Sequence, residues 1–177
     1  MNPYAQDLDK NPANHQPLTP ITFLERAAKV FPDHIAIVHG AQKIDYKTFW
    51  ERSLRLASVL AERGIGKGDT VTVMLSNTPP MLEAHYGVPM VKAVLHSLNT
   101  RLDAAAIAFQ LDHAETKVLI VDREHANVVR EALALATVKP LVIDYDDPEY
   151  PDDAPYLKGE RIGTEDYEAF LAEGEIG

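Results

Sequence analysis

The stretch RGIGKGDTVTVMLSNTP (residues 63–79) places a glycine-rich segment directly before an apolar, β-branched run. A glycine loop that carries a lysine is how many nucleotide sites begin, so the segment Gly64–Asp69 is a candidate phosphate cradle. A Walker loop, however, needs Ser or Thr after its lysine, and here Gly68 follows Lys67. A Rossmann loop needs a strand before its glycines and a helix after them. Here the order is reversed, so the segment is predicted to be a turn that joins a helix to a strand.

The residues on either side of this turn define the two elements that it joins. Upstream, KTFWERSLRLASVLAERG has helical spacing of its apolar residues and predicts a helix that ends at Arg63, with Gly64 as its left-handed terminator. The predicted apolar stripe consists of Trp50, Leu54, Ala57 and Leu60, widened by Phe49 and Leu56. Downstream, TVTVML predicts a strand that is buried on both faces.

The alternation of helix and strand continues in both directions along the chain. A helix is expected to begin near Thr19-Pro20 or Thr22, with Thr22-x-x-Glu25 as a capping box, and Pro32 should end it. IAIVHG and QKIDY flank Gly40-Ala41 and predict a β-hairpin. After the central strand come PPMLEAHYGVPMVKA (helix), VLHSL (strand), AAAIAFQLDH (helix capped by Asp103), KVLIVD (strand), EHANVVREALALA (helix) and KPLVID (strand). This spacing predicts an α/β fold with a mainly parallel sheet and right-handed crossover helices.

The chain divides into four predicted regions. Residues 1–18 read as an irregular arm, residues 19–143 as an α/β scaffold segment, and residues 144–163 as an acidic, proline-rich surface loop. Residues 164–177 contain a last short helix in TEDYEAFLAEGE.

Composition excludes several classes of function. The 177 residues carry a net charge of −10, which disfavours nucleic acid and anionic membrane surfaces as partners. The absence of cysteine excludes disulfides, thiolate metal sites and a cysteine nucleophile. We see no secretory signal and no apolar run near the roughly 20 residues that a membrane span needs. The protein is therefore predicted to be cytoplasmic.

Two groups of residues could be proposed as sites. The acidic cluster is Asp144, Asp146, Asp147, Glu149, Asp152 and Asp153. It lacks the order and the central glycine of a calcium loop, so a solvated loop is the favoured interpretation. Asp122 ends a strand, where α/β sites often draw carboxylates, but capping of the next helix explains it equally well.

The histidines show no metal-binding spacing. His85 and His96 lie in apolar neighbourhoods and are expected to be hydrogen-bonded and partly buried. His113 and His125 are expected near helix ends, where the helix dipole favours an imidazole.

Four strings of the chain, in order, resemble the N-terminal part of an AMP-forming acyl-CoA ligase of the acyl-adenylate-forming superfamily. They are TPITFLERAAKVFPDHIAIV, KIDYKTFWERSLRLASVLAERGIGKGDTVTVMLSNTPPMLEAHYGVPM, AVLHSLNTRLDAAAIAFQLDHAETKVLIVD and DYEAFLAEGE. The string GVPMVKAVLHSLNTRLDAAAIAFQLDHAETKVLIVDRE is most similar to methylmercaptopropionate–CoA ligases and neighbouring short- and medium-chain fatty acid–CoA ligases. The chain departs from the family pattern at Asp45 (commonly Ser or Thr), Thr48 (commonly Glu) and Val91-Lys92 (frequently Ala-Gly).

The resemblance implies a two-step reaction for a longer parent enzyme. A carboxylic acid, ATP and Mg²⁺ would give an acyl-adenylate and pyrophosphate, and coenzyme A would then displace AMP. The family's phosphate loop, nucleotide motifs and catalytic lysine do not occur here, so the resemblance assigns no catalytic, cofactor-binding or metal residue to this segment. The resemblance implies that this segment is scaffold, an incomplete piece of the large N-terminal domain. The rest of the ligase would be its partner, and the resemblance leaves open whether the enzyme is a homodimer.

Two other interpretations remain. The chain could be a free-standing α/β binding or interaction module without catalysis. A nucleotide- or flavin-binding doubly wound domain is disfavoured, because the strand ends at Leu75, Leu98 and Val121 offer no glycine-rich turn into a helix.

Overall fold

The structure is a computed structural model that describes residues 9–150 and 158–176. The helices are α1 (Pro20–Val30), α2 (Tyr46–Glu62), α3 (Pro79–Met90), α4 (Ala104–His113), α5 (Ala126–Leu135) and α6 (Tyr167–Glu173). The strands are β1 (Ile35–His39), β2 (Gln42–Asp45), β3 (Thr70–Met74), β4 (Val94–Ser97), β5 (Thr116–Asp122), β6 (Leu141–Tyr145) and β7 (Glu165–Asp166). A single 3₁₀ turn, Arg123–His125, separates β5 from α5.

Five of these strands form one parallel sheet in the order β4-β3-β5-β6-β7. The strands β1 and β2 form a separate antiparallel hairpin. The predicted α/β fold with a mainly parallel sheet is therefore confirmed. No helix in the described parts of the chain has the length and apolar character that crossing a membrane requires.

The alternation of side chains along the strands divides the interior into two cores, one on each face of the sheet. Val71 and Val73 of β3 join α2, α3 and α6 in the larger core. Met74, the next residue along β3, joins α4 and α5 in the smaller one. Both faces are covered, so β3 is buried along its whole length.

Helix α2 is central to the larger core, and its buried face differs from the predicted stripe. Phe49, Leu56, Ala57 and Leu60 are buried as expected, but Trp50 and Leu54 are only half-buried, and Ser53 and Val59 take their places in the interior. Helix α3 packs closely against this face, since a Cβ on Gly87 would lie 2.9 Å from the Leu56 side chain. A small residue such as Ser53, whose hydroxyl donates to the Phe49 carbonyl, also suits a closely packed face.

The start of α1 is capped differently from the prediction. The N-cap is Thr19, whose side chain accepts from the Thr22 backbone, while the Thr22 hydroxyl accepts from the Thr19 backbone. The predicted box between Thr22 and Glu25 is wrong, because Thr22 already lies in the first turn and Glu25 pairs with Lys29 instead. A threonine at the third helical position can close the same reciprocal pair as a glutamate.

The acidic segment predicted as a loop over residues 144–163 also differs from the prediction. Strand β6 runs to Tyr145, so the boundary predicted at 144 falls inside a buried strand. The chain then returns as the two-residue strand β7, which no pattern predicted, before α6. Ile143 and Asp144 pair with Glu165 and Asp166 there.

Candidate functional site

The carboxyl edge of the parallel sheet contains a topological switch point between β3 and β5. These strands are neighbours, but α3 follows β3 into the larger core and α5 follows β5 into the smaller one. Crevices of this kind, outside the carboxyl ends of strands, are where open α/β sheets bind ligands. The loops that border it follow Leu75 and Asp122.

Polar side chains from the two loops meet across this crevice. The Ser76 hydroxyl donates to Glu124 Oε2 at 2.8 Å and lies 3.4 Å from His125 Nε2. Burial lowers the pKa of His125, an effect that the Glu124 charge only partly opposes. His125 is the last residue of the 3₁₀ turn and also the N-cap of α5, so it faces the positive end of the α5 dipole and the predicted favourable dipole does not apply to it.

Asp122 lies behind this group at the end of β5 and is 1% exposed. Its carboxylate accepts from the Glu124 backbone, so the expected capping role is present, with the 3₁₀ turn as the element that it caps. Burial raises the pKa of Asp122 to about 6, and the charges of Glu124 and Asp147 add to the effect while Lys158 opposes it. A carboxyl group with this pKa can exchange a proton near neutral pH.

The start of α3 does not suit a phosphate, although it borders the same crevice. The helix begins with Pro79 and Pro80, which have no N–H to donate, and Thr78 makes no side-chain cap hydrogen bond. This geometry also argues against a nucleotide- or flavin-binding domain of the doubly wound type.

The acidic cluster is engaged in local contacts. The buried Asp144 carboxylate accepts from the backbones of Ile162 and Gly163 and holds the returning chain against β6. Because Asp144 is fully buried, the prediction of a solvated loop is wrong at this residue.

The neighbouring acidic residues have partners as well. Asp146 pairs with both Arg123 and Lys158. Burial is the largest single influence on the pKa of Asp146 and would raise it, but the hydrogen bonds and charges of Lys158 and Arg123 together outweigh burial and lower this pKa.

Two further carboxylates fasten the hairpin to the loop after β6. Asp147, also buried, lies 2.8 Å from His39 Nε2, and Glu149 accepts from the Ala41 backbone at 3.0 Å. Asp152 and Asp153 lie outside the described residues. In the described parts of the chain, no group of three or more His, Asp or Glu side chains could hold a metal ion.

A cleft of about 470 Å³ opens beside this edge, between the hairpin, α2 and α6. Arg52 on its wall is held by two carboxylates: Glu83, at 2.6 Å from Nε, and Glu168. Burial would lower the pKa of Arg52, but the bonds to Glu168 and Glu83 raise it overall. The buried Glu83 also accepts from the Tyr167 hydroxyl at 2.7 Å, so this network joins α2, α3 and α6 and leaves its cation neutralised.

The segment Gly64–Asp69 is a turn, as predicted. Two of its glycine N–H groups have acceptors within the protein: Gly66 donates to the Asp69 carboxylate and Gly68 to the Lys92 carbonyl. Gly64 and Gly68 have φ of +78° and +88°, the region that glycine favours. Lys117 pairs with Asp69, and this pair lowers the pKa of Asp69.

The remaining histidines are split between correct and wrong predictions. His96 is half-buried and hydrogen-bonded to Thr72, as expected. His85 is exposed, so its predicted partial burial is wrong. Its ring Nδ1 lies 2.7 Å from the Met81 carbonyl of the same helix. His113 lies in the last turn of α4, where the dipole favours it, and stacks on Phe109.

Comparison with known proteins places this arrangement in a family. Residues 24–168 match the model of the AMP-binding enzyme family. The chain belongs to that family. It is 40% identical over 178 residues to a peroxisomal acetate/butyrate–CoA ligase of Arabidopsis thaliana, covering 96% of this chain and 31% of the relative. It is 38% identical over 175 residues to a peroxisomal benzoate–CoA ligase of the same plant, covering 96% of this chain and 29% of that protein.

Solved structures of CoA ligases have the same fold. The anthranilate CoA ligase AuaEII, in complex with anthranoyl-AMP, has a TM-score of 0.77 at 14% identity, covering 89% of this chain and 28% of that one. A putative long-chain-fatty-acid CoA ligase from Rhodopseudomonas palustris has a TM-score of 0.70 at 25% identity, covering 86% and 36%. This member of the AMP-binding enzyme family spans less than a third of the length of the two plant relatives.

Two departures from the family pattern have a structural explanation. Asp45 is the N-cap of α2 and accepts from the Thr48 backbone at 2.7 Å, a role that Ser or Thr also performs. Lys92 has φ of +63°, in the left-handed region, which explains why glycine suits that position.

Proposed function

We propose that this chain is the first part of the N-terminal domain of an AMP-forming acid–CoA ligase. The whole enzyme would convert a short- or medium-chain carboxylic acid, ATP and CoA to acyl-CoA, AMP and pyrophosphate. The observation that carries the proposal is the family match over residues 24–168, together with a fold shared with solved CoA ligases. The prediction of a cytoplasmic location stays a prediction, and both plant relatives named above are peroxisomal by description.

The substrate is proposed at two levels. The relatives are described as ligases of acetate, butyrate and benzoate, which supports a small monocarboxylic acid. The finer resemblance in residues 87–124 favours 3-methylmercaptopropionate among such acids.

Within this enzyme the segment acts as scaffold and contributes no catalytic, cofactor-binding or metal residue. The residues described above do not fit a nucleotide or a magnesium ion, because the Gly66 and Gly68 N–H groups of the glycine turn already donate to the Asp69 carboxylate and the Lys92 carbonyl, and α3 begins with two prolines. ATP, Mg²⁺ and CoA would therefore bind to other parts of the full-length protein. We propose that the 177-residue chain alone is inactive.

The test is carboxylate-dependent ATP–pyrophosphate exchange. The purified chain should show no exchange with acetate, butyrate, benzoate or 3-methylmercaptopropionate. A chimaera in which this chain replaces the matched segment of the Arabidopsis acetate/butyrate–CoA ligase should show exchange, and the same chimaera with Leu56→Asp in the core should not. Exchange by the isolated chain would refute the scaffold role, and an inactive but folded chimaera would refute the assignment as a ligase segment.

A second candidate function is a free-standing α/β module that binds a partner without catalysis. It is favoured by one observation: both faces of the parallel sheet are covered by helices of the same chain. An inactive chimaera combined with a stable, cooperatively folded 177-residue monomer would favour this alternative.

A further inference from the structure

The β1–β2 hairpin is attached to the rest of the molecule by a small core and by polar contacts at its tip. Among the described residues it pairs with no strand of the five-stranded sheet, and an isolated two-stranded hairpin is marginal in water. The core cluster beneath it consists of Leu24, Ile37 and Phe49. The polar contacts of the tip therefore have a large share in keeping the hairpin docked.

Two carboxylates of the loop that follows β6 receive the hairpin tip. His39 Nε2, at the end of β1, lies 2.8 Å from Asp147 Oδ1, and the Ala41 backbone donates to Glu149 Oε2 at 3.0 Å. The first contact is largely shielded from water, since the side chains of His39 and Asp147 are 20% and 10% exposed. A Cβ on Gly40 would collide with the Glu149 side chain, so glycine at the turn permits this close approach.

The loop that carries Asp147 is itself fixed to the sheet. Asp146 pairs with Arg123 and Lys158, and Lys158 Nζ also donates to the Asp147 carbonyl at 3.1 Å. The Asp147 carboxylate accepts from the Glu149 backbone at 3.0 Å. Loss of the contact between the hairpin and this carboxylate is therefore expected to move the hairpin and not the loop.

The groups that face Asp147 from the sheet are acidic. The Tyr145 hydroxyl lies 3.4 Å from Asp147 Oδ1. Burial, and then the charges of Glu124 and Asp147, raise the pKa of buried Asp122 to about 6. The Asp147 carboxylate therefore lies near a second carboxylate, and the cationic partner in contact with it is the imidazole of His39.

This arrangement makes the His39–Asp147 contact dependent on pH. An imidazole ordinarily changes its charge between about pH 5 and 8. Protonated His39 makes a charge-assisted hydrogen bond to Asp147, and such bonds are roughly twice as strong as neutral ones. Neutral His39 retains at most the weaker bond and leaves a buried carboxylate without its cation, which is costly. The contact therefore stabilises the docked hairpin at acidic pH, and this stabilisation is lost as the imidazole deprotonates.

We propose that His39 and Asp147 form a pH-dependent latch, closed when His39 is protonated, that controls how often the hairpin tip separates from the loop after β6. The hairpin residues Gln42, Lys43 and Ile44 line one wall of the cleft of about 470 Å³ between the hairpin, α2 and α6. Release of the latch therefore opens this cleft further to solvent. The latch is a property of the chain itself and does not depend on the proposed ligase activity.

Amide hydrogen exchange of the 177-residue chain at pH 6 and pH 8, corrected for the intrinsic exchange rates, tests the latch. Protection of the hairpin amides should be about fivefold higher at pH 6, the ratio expected when a charge-assisted bond becomes a neutral one. His39→Gln keeps a side-chain donor that carries no charge, and it should remove this difference. Glu149→Gln is the matched control: its amide oxygen can still accept from the Ala41 backbone, so the pH dependence should remain.

Two further variants separate the latch from the titration of Asp122. Asp122→Asn removes that titration and should retain the pH dependence of hairpin protection. Asp147→Asn removes the charge that His39 contacts and should abolish the pH dependence. Trp50 is the only tryptophan of the chain and packs against the core cluster under the hairpin, so its fluorescence gives a second measure of hairpin docking in each protein. Circular dichroism reports whether each variant is folded.

The outcomes decide between the latch and other sources of pH dependence. Equal hairpin protection at pH 6 and pH 8 in the unmodified chain overturns the latch. Persistence of the difference in His39→Gln, or its loss in Asp122→Asn, also overturns the latch. If Asp147→Asn does not fold, His39→Gln decides. ATP–pyrophosphate exchange is scored independently, so an inactive chimaera removes the proposed function and leaves the latch in place.

Discussion

At the scale of single residues, Asp122 lies in surroundings that disfavour its charge. Its carboxylate is buried at the end of β5, has one backbone donor, and faces the charges of Glu124 and Asp147. Because its pKa in the folded state is about 6, above the ordinary value of 3.8, the fold favours the protonated form. The cost of ionisation is absent below the unfolded pKa and is fully present above the folded pKa. Stability is therefore expected to fall as pH rises from about 4 to about 6.

We predict that Asp122→Asn raises the free energy of unfolding at pH 8 by roughly 2 kcal/mol, since an amide keeps the acceptor for Glu124 without the buried charge. The gain should disappear at pH 4. Urea titrations at both pH values measure it. Asp69→Asn serves as the opposite control: the pKa of Asp69 is lowered by Lys117, so that substitution should destabilise the protein at pH 8. A gain for Asp122→Asn that is the same at both pH values would contradict the prediction.

Lys92 illustrates backbone strain at a single residue. With φ of +63° it adopts a conformation that costs a non-glycine residue about 1–2 kcal/mol. Lys92→Gly should raise the free energy of unfolding by about 0.5–1 kcal/mol, after the extra entropy of glycine in the unfolded chain is subtracted. Lys67→Gly, at an exposed lysine outside the positive-φ residues, should give no gain. Thermal unfolding of the unmodified protein and the two variants measures the gain in stability. Equal gains for both variants would show that the positive φ of Lys92 is not the source of the stabilisation.

At the scale of elements, α6 depends on a buried polar network rather than on helix propensity. It has only seven residues, too few to persist alone, and it is held by buried Tyr167 and Phe170 and by the Arg52–Glu168 pair. Arg52 is also the cationic partner of Glu83 on α3. Helices α2, α3 and α6 are thus joined at one point, which secures the end of the described chain to the sheet.

Removal of Arg52 alone should therefore be severe. Arg52→Met leaves Glu83 buried without its cation and is expected to lower the free energy of unfolding by about 3 kcal/mol or more. The double variant Arg52→Met/Glu83→Met removes the buried charge as well and should recover a large part of this loss. Denaturant titration of both variants measures the difference. If the double variant is as unstable as the single one, the buried charge is not the source of the loss.

At the scale of the whole molecule, the three cores predict unequal local stability. Strands β3 and β5 lie between two covered faces, whereas the core cluster under α1 and the hairpin consists of Leu24, Ile37 and Phe49. Amide hydrogen exchange should therefore be slowest in β3 and β5, limited by global unfolding, and at least about a hundredfold faster in β1 and β2 through local opening. Equal protection of the hairpin and β3 in the isolated chain would contradict this prediction.

The sequence determined most of the secondary structure, because the signals for it are local. The apolar periodicity of α2, the β-branched run of β3, Gly64 after Arg63 and Asp103 before α4 each act within a few residues. The helix, the strand, the helix end and the helix cap that they predict are all present, although the buried face of α2 is shifted from the predicted stripe. The helix-before-strand order also identified the glycine segment as a turn. The parallel sheet followed from the alternation of these elements, since crossovers of this length are right-handed.

Only the tertiary structure decided what depends on contacts between distant residues. The burial of Asp144, the pairing of β7, the raised pKa of Asp122 and the Arg52–Glu83–Tyr167 network arise where segments far apart in sequence meet. The acidic run from Asp144 onward reads as solvated loop by composition, yet part of it is buried. The returning chain supplies backbone donors and Lys158, and the turn after β5 supplies Arg123. Local patterns report the preferences of neighbouring residues, but the environment of a charge is set by whatever the fold brings beside it.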